Sequence, residues 1–111
     1  MDSILTSIKK LLGLTEADTS FDIDIIIHIN TAFSIMRQFG VNVDSFSIEN
    51  KDATWDEYFP DISDVEMIKT YVYLKVRMVF DPPTGGVKDV FEKNIDELEW
   101  RICHEVDKEE E

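Results

Sequence analysis

The sequence predicts a mostly α-helical fold, a small bundle of about four helices with a short extended, β-hairpin-like insertion between the second and third helices. Three observations lead to this prediction. Apolar residues recur at helical spacing in four segments, glycines and prolines separate those segments, and 111 residues with 43% hydrophobic side chains suffice for one core. We therefore expect one helical domain over residues 1–106, followed by an acidic, disordered tail over residues 107–111.

The first two helices are predicted from apolar stripes and from the residues at their ends. The first spans about residues 2–12, and Gly13 suits the left-handed position that closes a helix. The second begins at Thr19, whose hydroxyl forms a capping box with Asp22, and it ends before Gly40. The apolar stripe of the second helix consists of Ile25, Ile29, Ala32, Met36 and Phe39.

Residues 41–60 differ from the helical segments around them. Residues 43–48 are typical of a strand, and residues 49–52 are typical of a turn. Residues 53–56 can then return alongside as a short second strand. Because a loop of this length in a compact domain is usually functional or ordered by a partner, the sequence leaves open whether residues 43–55 are ordered before a partner binds.

The third and fourth helices have different apolar patterns. The third begins with a capping box at Ser63 and Glu66 and is apolar on most sides, which is typical of a helix at the centre of a bundle or one covered by neighbouring subunits. Pro82 and Pro83 end it. The fourth, from about residue 86 to 106, has a narrow apolar seam, and its opposite face carries charges of both signs at i,i+4 spacing.

The charge balance restricts the partners of the chain. Asp and Glu total 24 against 11 Lys and Arg, a net charge of −13, and the largest basic cluster is the pair Lys9 and Lys10. Because phosphate contacts dominate nucleic-acid affinity, this composition disfavours direct binding to DNA or to an anionic membrane. We expect no membrane span, since no apolar run approaches ~18 residues, and no secretion leader. The single cysteine, Cys103, excludes an intrachain disulfide.

No motif in the sequence carries catalysis. The glycines form neither a phosphate-binding loop nor a dinucleotide fingerprint, and no nucleophile elbow is present. Cys103 and His104 point about 100° apart on a helix, so they cannot share one metal ion. Asp24 and His28 have the i,i+4 spacing of an acid–base pair, but a solvent-facing helix pair explains that spacing without chemistry. We therefore expect no enzymatic activity, no metal site and no cofactor.

Several blocks of the sequence resemble a known family. Residues 68–83 read IKTYVYLKVRMVFDPP, and residues 97–101 read ELEWR. Together with IKKLLGL over residues 8–14 and ATWDEY over residues 53–58, they resemble the small head–tail connector proteins, also called adaptor or DNA-packaging proteins, of tailed phages and prophages. The resemblance covers nearly the whole chain, and residues 68–83 are its most specific part.

The resemblance implies a structural, non-enzymatic role. Such connectors assemble as a homo-oligomeric ring of about twelve subunits beneath the portal protein, extend the DNA channel, and hold the stopper or tail-completion protein. DNA passes through the channel without specific binding, and no membrane is involved. The expected location is the virion neck. During assembly, or as a prophage product, the protein is expected in the cytoplasm of the bacterial host.

The candidate contact residues are aromatic and charged side chains, and the alternative role of the aromatic ones is in the hydrophobic core. Candidate contacts between subunits are Trp55, Tyr58, Phe59, Tyr73 and Arg77. Candidate contacts with the portal are Trp100 and Arg101. A second function class stays open, an acidic adaptor or inhibitor of the antitoxin or DNA-mimic type that covers a basic surface on one protein partner.

Overall fold

The computed structural model describes residues 3–38, 40, 48–59 and 65–110, with side chains described as far as His104. This part of the chain forms five helices and no strand, which confirms the mostly α-helical prediction. The helices are α1 (Ile4–Leu11), α2 (Asp22–Gln38), α3 (Trp55–Tyr58), α4 (Val65–Phe80) and α5 (Gly85–Glu110). An antiparallel bridge joins Ser3 to Thr54.

Helix α4 lies at the centre of the bundle, which is one of the two positions that its apolar pattern left open. It packs against α1, α2 and α5, while α2 and α5 barely contact each other within the described residues. Its buried side chains, Ile68, Tyr71, Val72, Leu74 and Val76, point in several directions around the helix. A helix with neighbours on several sides has to be apolar on several sides. The order α2, α4, α5 therefore defines the body of the molecule, with α1 packed against α2 and α4.

Helix α1 begins and ends as its sequence indicates. The Ser3 hydroxyl accepts a hydrogen bond from the Thr6 amide at 3.2 Å, which satisfies one of the free donors of the first turn. Gly13 follows the helix with a φ of +85°, a backbone conformation that glycine adopts without a steric penalty. The prediction that Gly13 closes this helix is confirmed.

Helix α2 begins at Asp22, so the predicted start at Thr19 is wrong. The Asp22 carboxylate lies 2.9 Å from the Lys9 ammonium instead of completing a capping box with Thr19. Before the helix the chain turns, and the Ser20 amide donates to the Asp18 carboxylate at 3.1 Å. The two hydrogen bonds from Ser20 lower the pKa of Asp18. A tertiary ion pair has therefore replaced the local cap that the sequence suggested.

The predicted second strand over residues 53–56 is also wrong. Trp55 and Asp56 lie in α3, which Thr54 caps by accepting a hydrogen bond from the Glu57 amide at 3.4 Å. The Thr54 hydroxyl also donates to the Glu57 carboxylate at 2.9 Å. The Thr54 hydroxyl therefore caps this turn, and Glu57 bonds back to the same hydroxyl; both bonds favour a helical turn over an extended return. Residues 43–47 of the predicted first strand lie outside the described residues.

Helix α5 is the longest element. It spans 26 residues, or about 39 Å at the rise of an α-helix. It begins one residue before the predicted start and continues through Glu110, four residues past the predicted end at Val106. The division into a domain over residues 1–106 and a tail over residues 107–111 stays a prediction.

Candidate assembly surfaces

The segment between α2 and α4 is tied to the rest of the subunit through backbone groups. The Ile48 amide donates to the Asn30 side-chain oxygen at 2.8 Å, and the Asn30 amide donates back to the Ile48 carbonyl at 3.2 Å. The Ile4 amide donates to the Ala53 carbonyl at 2.9 Å. These bonds hold the described part of the segment, residues 48–59, against α1 and α2 within a single subunit.

Three of the predicted subunit-contact residues lie on this segment, and two of them are in the core. Trp55 and Phe59 are 1% and 2% exposed. The Phe59 ring contacts those of Phe33 and Trp55, with centroids at 5.4 Å and 6.2 Å, and the Trp55 indole N–H donates to the Ser7 hydroxyl at 3.3 Å. Tyr58 is only half-buried and packs against Phe33. Trp55 and Phe59 therefore stabilise the subunit itself, and their role between subunits stays a prediction.

The other two predicted contact residues, Tyr73 and Arg77, lie together where α4 approaches α5. The Arg77 guanidinium donates to the Tyr73 hydroxyl at 3.0 Å and to the Asp81 carbonyl at 3.3 Å. It also lies over the Phe91 ring of α5, 5.2 Å from the centroid. The hydrogen bond to Tyr73 raises the pKa of Arg77. Arg77 thus fixes the corner between the two helices and remains half-exposed there.

The predicted portal-docking residues are both exposed on α5. Trp100 is 68% exposed, and its indole stacks on the His104 ring with centroids 5.4 Å apart. Arg101 forms an exposed ion pair with Glu97, one helical turn earlier, at 2.6 Å. Both residues therefore lie in solvent at adjacent positions of α5, with Trp100 packed toward His104 and Arg101 toward Glu97, whereas the neighbouring Ile102 is buried.

A buried lysine connects α1 to the start of α2, and the sequence interpretation missed it. Lys9 is 3% exposed, and its ammonium lies 2.9 Å from the nearer Asp22 carboxylate oxygen. Lys9 and Asp22 form an ion pair but not a hydrogen bond. The Asp22 oxygen nearest to Lys9 has no hydrogen-bond partner among the described residues. The ammonium does donate to the Glu16 carbonyl at 3.1 Å. The sequence did indicate that Lys9 is buried, because Lys9 lies one turn after Leu5, on the apolar side of α1.

A buried tyrosine connects α4 to α5. The Tyr71 hydroxyl donates to the Glu99 carboxylate at 2.8 Å. Burial, and then the nearby Glu99 carboxylate, raise the pKa of Tyr71 far above the ordinary value for tyrosine. The phenol therefore stays neutral in the folded protein and acts as a hydrogen-bond donor between the two helices.

The described residues contain no arrangement that points to metal chemistry or to a membrane. Within residues 3–38, 48–59 and 65–104, no three His, Cys, Asp or Glu side chains lie close enough together to hold a metal ion. In the same part of the chain, no helix combines the length and the apolar character that crossing a bilayer requires. The absence of a cofactor and of catalysis stays a prediction.

Comparison with known proteins identifies the family. The family model described as phage connector protein matches residues 4–109, nearly the whole chain. No curated protein and no solved structure matches the chain significantly. The phage connector family is a family of structural proteins, and the all-helical fold is consistent with it. The match covers far more than half of the sequence and includes all described helices except the last residue of α5, so the chain belongs to the phage connector protein family.

Proposed function

We propose that the chain is the head–tail connector subunit of a tailed phage or prophage, assembling as a ring beneath the portal protein in the virion neck. The observation that carries this proposal is the family match over residues 4–109. A ring extends the DNA channel and offers its far side to a stopper or tail-completion protein. The ring contains about twelve copies, as in the connectors that the sequence resembles.

The charge of the chain supports a channel that DNA passes without adhering to it. The net charge of −13 is concentrated in two segments. Residues 40–64 hold seven carboxylates against one lysine, and residues 105–111 hold five against one lysine. Repeating these segments around a ring multiplies the negative charge, which repels the phosphate backbone over a Debye length of about 8 Å at physiological salt.

Contacts between subunits are proposed at the exposed parts of the aromatic and arginine clusters. Tyr58, Tyr73 and Arg77 are half-buried, so each presents part of its side chain to a neighbour. Trp55 and Phe59 contribute by holding Tyr58 and the surrounding backbone in place from beneath. Aromatic and arginine side chains with one face already packed lose little further freedom on binding, which favours them as contact residues.

Docking onto the portal is proposed at Trp100 and Arg101. Trp100 is a large exposed aromatic side chain whose ring is already oriented by His104. Arg101 provides a planar donor beside it, although Glu97 now occupies that donor. An oriented aromatic side chain next to an arginine is the combination that dominates the binding energy of many protein interfaces.

Co-purification with the portal protein of the same phage tests this proposal. The portal protein should retain the wild-type chain, whereas Trp100→Ala combined with Arg101→Glu should lower the retained fraction at least tenfold. Point substitutions are preferable to deletion after Glu99, because deletion would also remove the buried Ile102. Val79→Ser, which changes an exposed apolar residue on α4, is the matched control. Equal retention of all three proteins would contradict the docking assignment.

A further inference from the structure

The exposed side of helix α5 carries a pair of stacked rings. Trp100 is 68% exposed, and its indole lies on the His104 ring with centroids 5.4 Å apart and planes 3° from parallel. Side chains on an α-helix lean toward its N-terminus, so His104 reaches back over Trp100 from the following turn. His104 therefore packs on one face of the indole, and the opposite face is turned toward the preceding turn of α5.

Two carboxylates lie on that preceding turn. Asp96 and Glu97 stand four and three residues before Trp100, the spacings at which side chains of a helix meet. Glu97 is already paired with Arg101 at 2.6 Å. Asp96 is exposed and has no cation within ion-pair distance among the described residues, although Lys93 lies three residues before it. Asp96 is therefore the carboxylate that is available beside the open face of the indole.

The charge of this part of α5 favours a cationic partner group. Residues 89–101 hold five carboxylates against two basic side chains, and the chain as a whole carries a net charge of −13. The face of an aromatic ring is also electrically negative, so both the indole and its surroundings attract a cation. Nucleic acid and a second copy of this chain are disfavoured here, because each brings further negative charge.

Arginine fits this surface better than lysine does. A guanidinium is planar, so it can stack on the indole and donate hydrogen bonds from its edge to a carboxylate at the same time. An ammonium is a compact, strongly hydrated charge with no planar face to stack. The subunit already contains a contact of this kind, since the Arg77 guanidinium lies over the Phe91 ring, 5.2 Å from its centroid, while it donates to the Tyr73 hydroxyl.

We propose that the surface formed by Asp96, Trp100 and His104 binds an arginine side chain of the portal protein. The guanidinium stacks on the indole face opposite His104 and donates to the Asp96 carboxylate. His104 holds the indole in position from the other side, which lowers the entropy cost of binding. This inference rests on the proposed portal contact and adds the chemical group that the portal protein presents there.

The affinity of substituted chains for the portal protein of the same phage tests the site. Trp100→Leu keeps an apolar side chain but removes the aromatic face, and it should weaken binding about tenfold. Asp96→Asn should weaken binding about fivefold, because the charged acceptor is gone. Both positions are exposed, so folding should be unaffected. Asp89→Asn, the matched control, removes a carboxylate about 10 Å earlier on α5, beyond the Debye length of about 8 Å, and should change binding by about twofold at most.

Two substitutions at His104 test the stacked arrangement. His104→Lys places a permanent cation beside the indole, where it competes with the incoming arginine, and it should weaken binding about fivefold. His104→Gln removes the ring without adding a charge and should weaken binding only about twofold, through the lost orientation of Trp100. Equal affinities of the two variants would contradict a cation-binding role for the indole.

A charge exchange between the two proteins identifies the arginine. Asp96→Arg should weaken binding about tenfold, and changing one surface arginine of the portal protein to aspartate should restore the affinity to within about threefold of the wild-type pair. The same portal arginine changed to lysine should bind the wild-type chain about fivefold more weakly, because lysine cannot stack on the indole.

The failure of this inference is distinguishable from failure of the proposed function. If the portal protein binds the wild-type chain, Asp96→Asn and Asp89→Asn equally well, or if no portal arginine restores binding to Asp96→Arg, the arginine site is wrong and the connector role stands. If Asp96→Asn weakens association between copies of this chain and leaves portal binding unchanged, the portal protein is the wrong occupant. If the portal protein does not bind the wild-type chain, the portal contact and the arginine site are both wrong.

Discussion

The N-terminal half of the chain and helix α5 are held in place by different means. In the first half, side chains and backbone groups far apart in sequence are clamped together, as between Asn30 and Ile48 or Trp55 and Ser7. Helix α5 packs on α4 through one seam and leaves Val87, Val90 and Trp100 in solvent. The comparison indicates that the first region supplies much of the stability of the subunit, whereas α5 carries the exposed residues that we propose as partner contacts.

The largest effect on stability is expected from truncating Trp55. Its side chain is 1% exposed and packs on Phe59, so Trp55→Ala should lower the free energy of unfolding by about 3–5 kcal/mol. Trp100→Ala removes the same type of side chain from an exposed position and should change the free energy of unfolding by about 0.5 kcal/mol at most. Urea denaturation of both variants measures the difference. Equal losses of unfolding free energy in the two variants would contradict the view that the N-terminal half stabilises the subunit more than α5 does.

A smaller loss is expected from Asn30→Ala. This change leaves the amide and carbonyl of the buried Ile48 without partners, which should cost about 1–3 kcal/mol of unfolding free energy. Hydrogen exchange at the Ile48 amide should accelerate as well, since its acceptor is gone. Ser34→Ala, one turn later on the exposed side of α2, is the matched control and should change neither quantity. An unchanged exchange rate at the Ile48 amide would show that the hydrogen bonds between Asn30 and Ile48 do not protect this segment.

The connection between α4 and α5 predicts a dependence on alkaline pH. Burial and Glu99 raise the pKa of Tyr71 in the folded protein, so its stabilising effect is fully present below the unfolded pKa of about 10 and is lost as the pH rises above that value. Tyr71→Phe should lower the unfolding free energy by about 1–2 kcal/mol at pH 8. The variant should then lose less stability than the wild type between pH 9 and about 11. Parallel pH curves for both proteins would contradict this account.

The smallest effect on stability is expected on the outer face of α5. Arg101→Ala breaks an exposed ion pair with Glu97 and should change the unfolding free energy by about 0.5 kcal/mol at most. The same variant should nevertheless reduce retention by the portal protein, because it removes a proposed contact. Calorimetry and portal co-purification on one protein sample measure both. A variant that loses stability but is still retained by the portal protein would show that Arg101 stabilises the subunit and does not contact the portal.

The parts of the fold that depend on local pattern were predictable from the sequence. The apolar residues around α4 predicted that it is covered on most sides, by the bundle or by neighbouring subunits, and Gly13 predicted the end of α1. The start of α2 was not predicted, because a tertiary contact decides it: Asp22 pairs with Lys9 of another helix. The short helix α3 was also not predicted, although Thr54 and Glu57 provide a local signal for a helix start; burial of Trp55 adds the tertiary contact that a four-residue helix needs.

The candidate contact residues also divide into those whose exposure follows from local pattern and those whose burial depends on the whole fold. Trp100 lies just off the apolar seam of α5, so its exposure could be expected from helical spacing alone. Trp55 and Phe59 lie in a segment with no clear periodicity, so the sequence could not separate a core role from an interface role. Their burial depends on how the segment folds back over α1 and α2, which is a property of the whole chain.

The most direct test of the connector role is to determine the composition of the virion neck by cryo-electron microscopy of purified particles from the phage or prophage that encodes this chain. We expect a closed ring of this protein between the portal and the next tail protein. Particles whose neck is complete without this protein would contradict it.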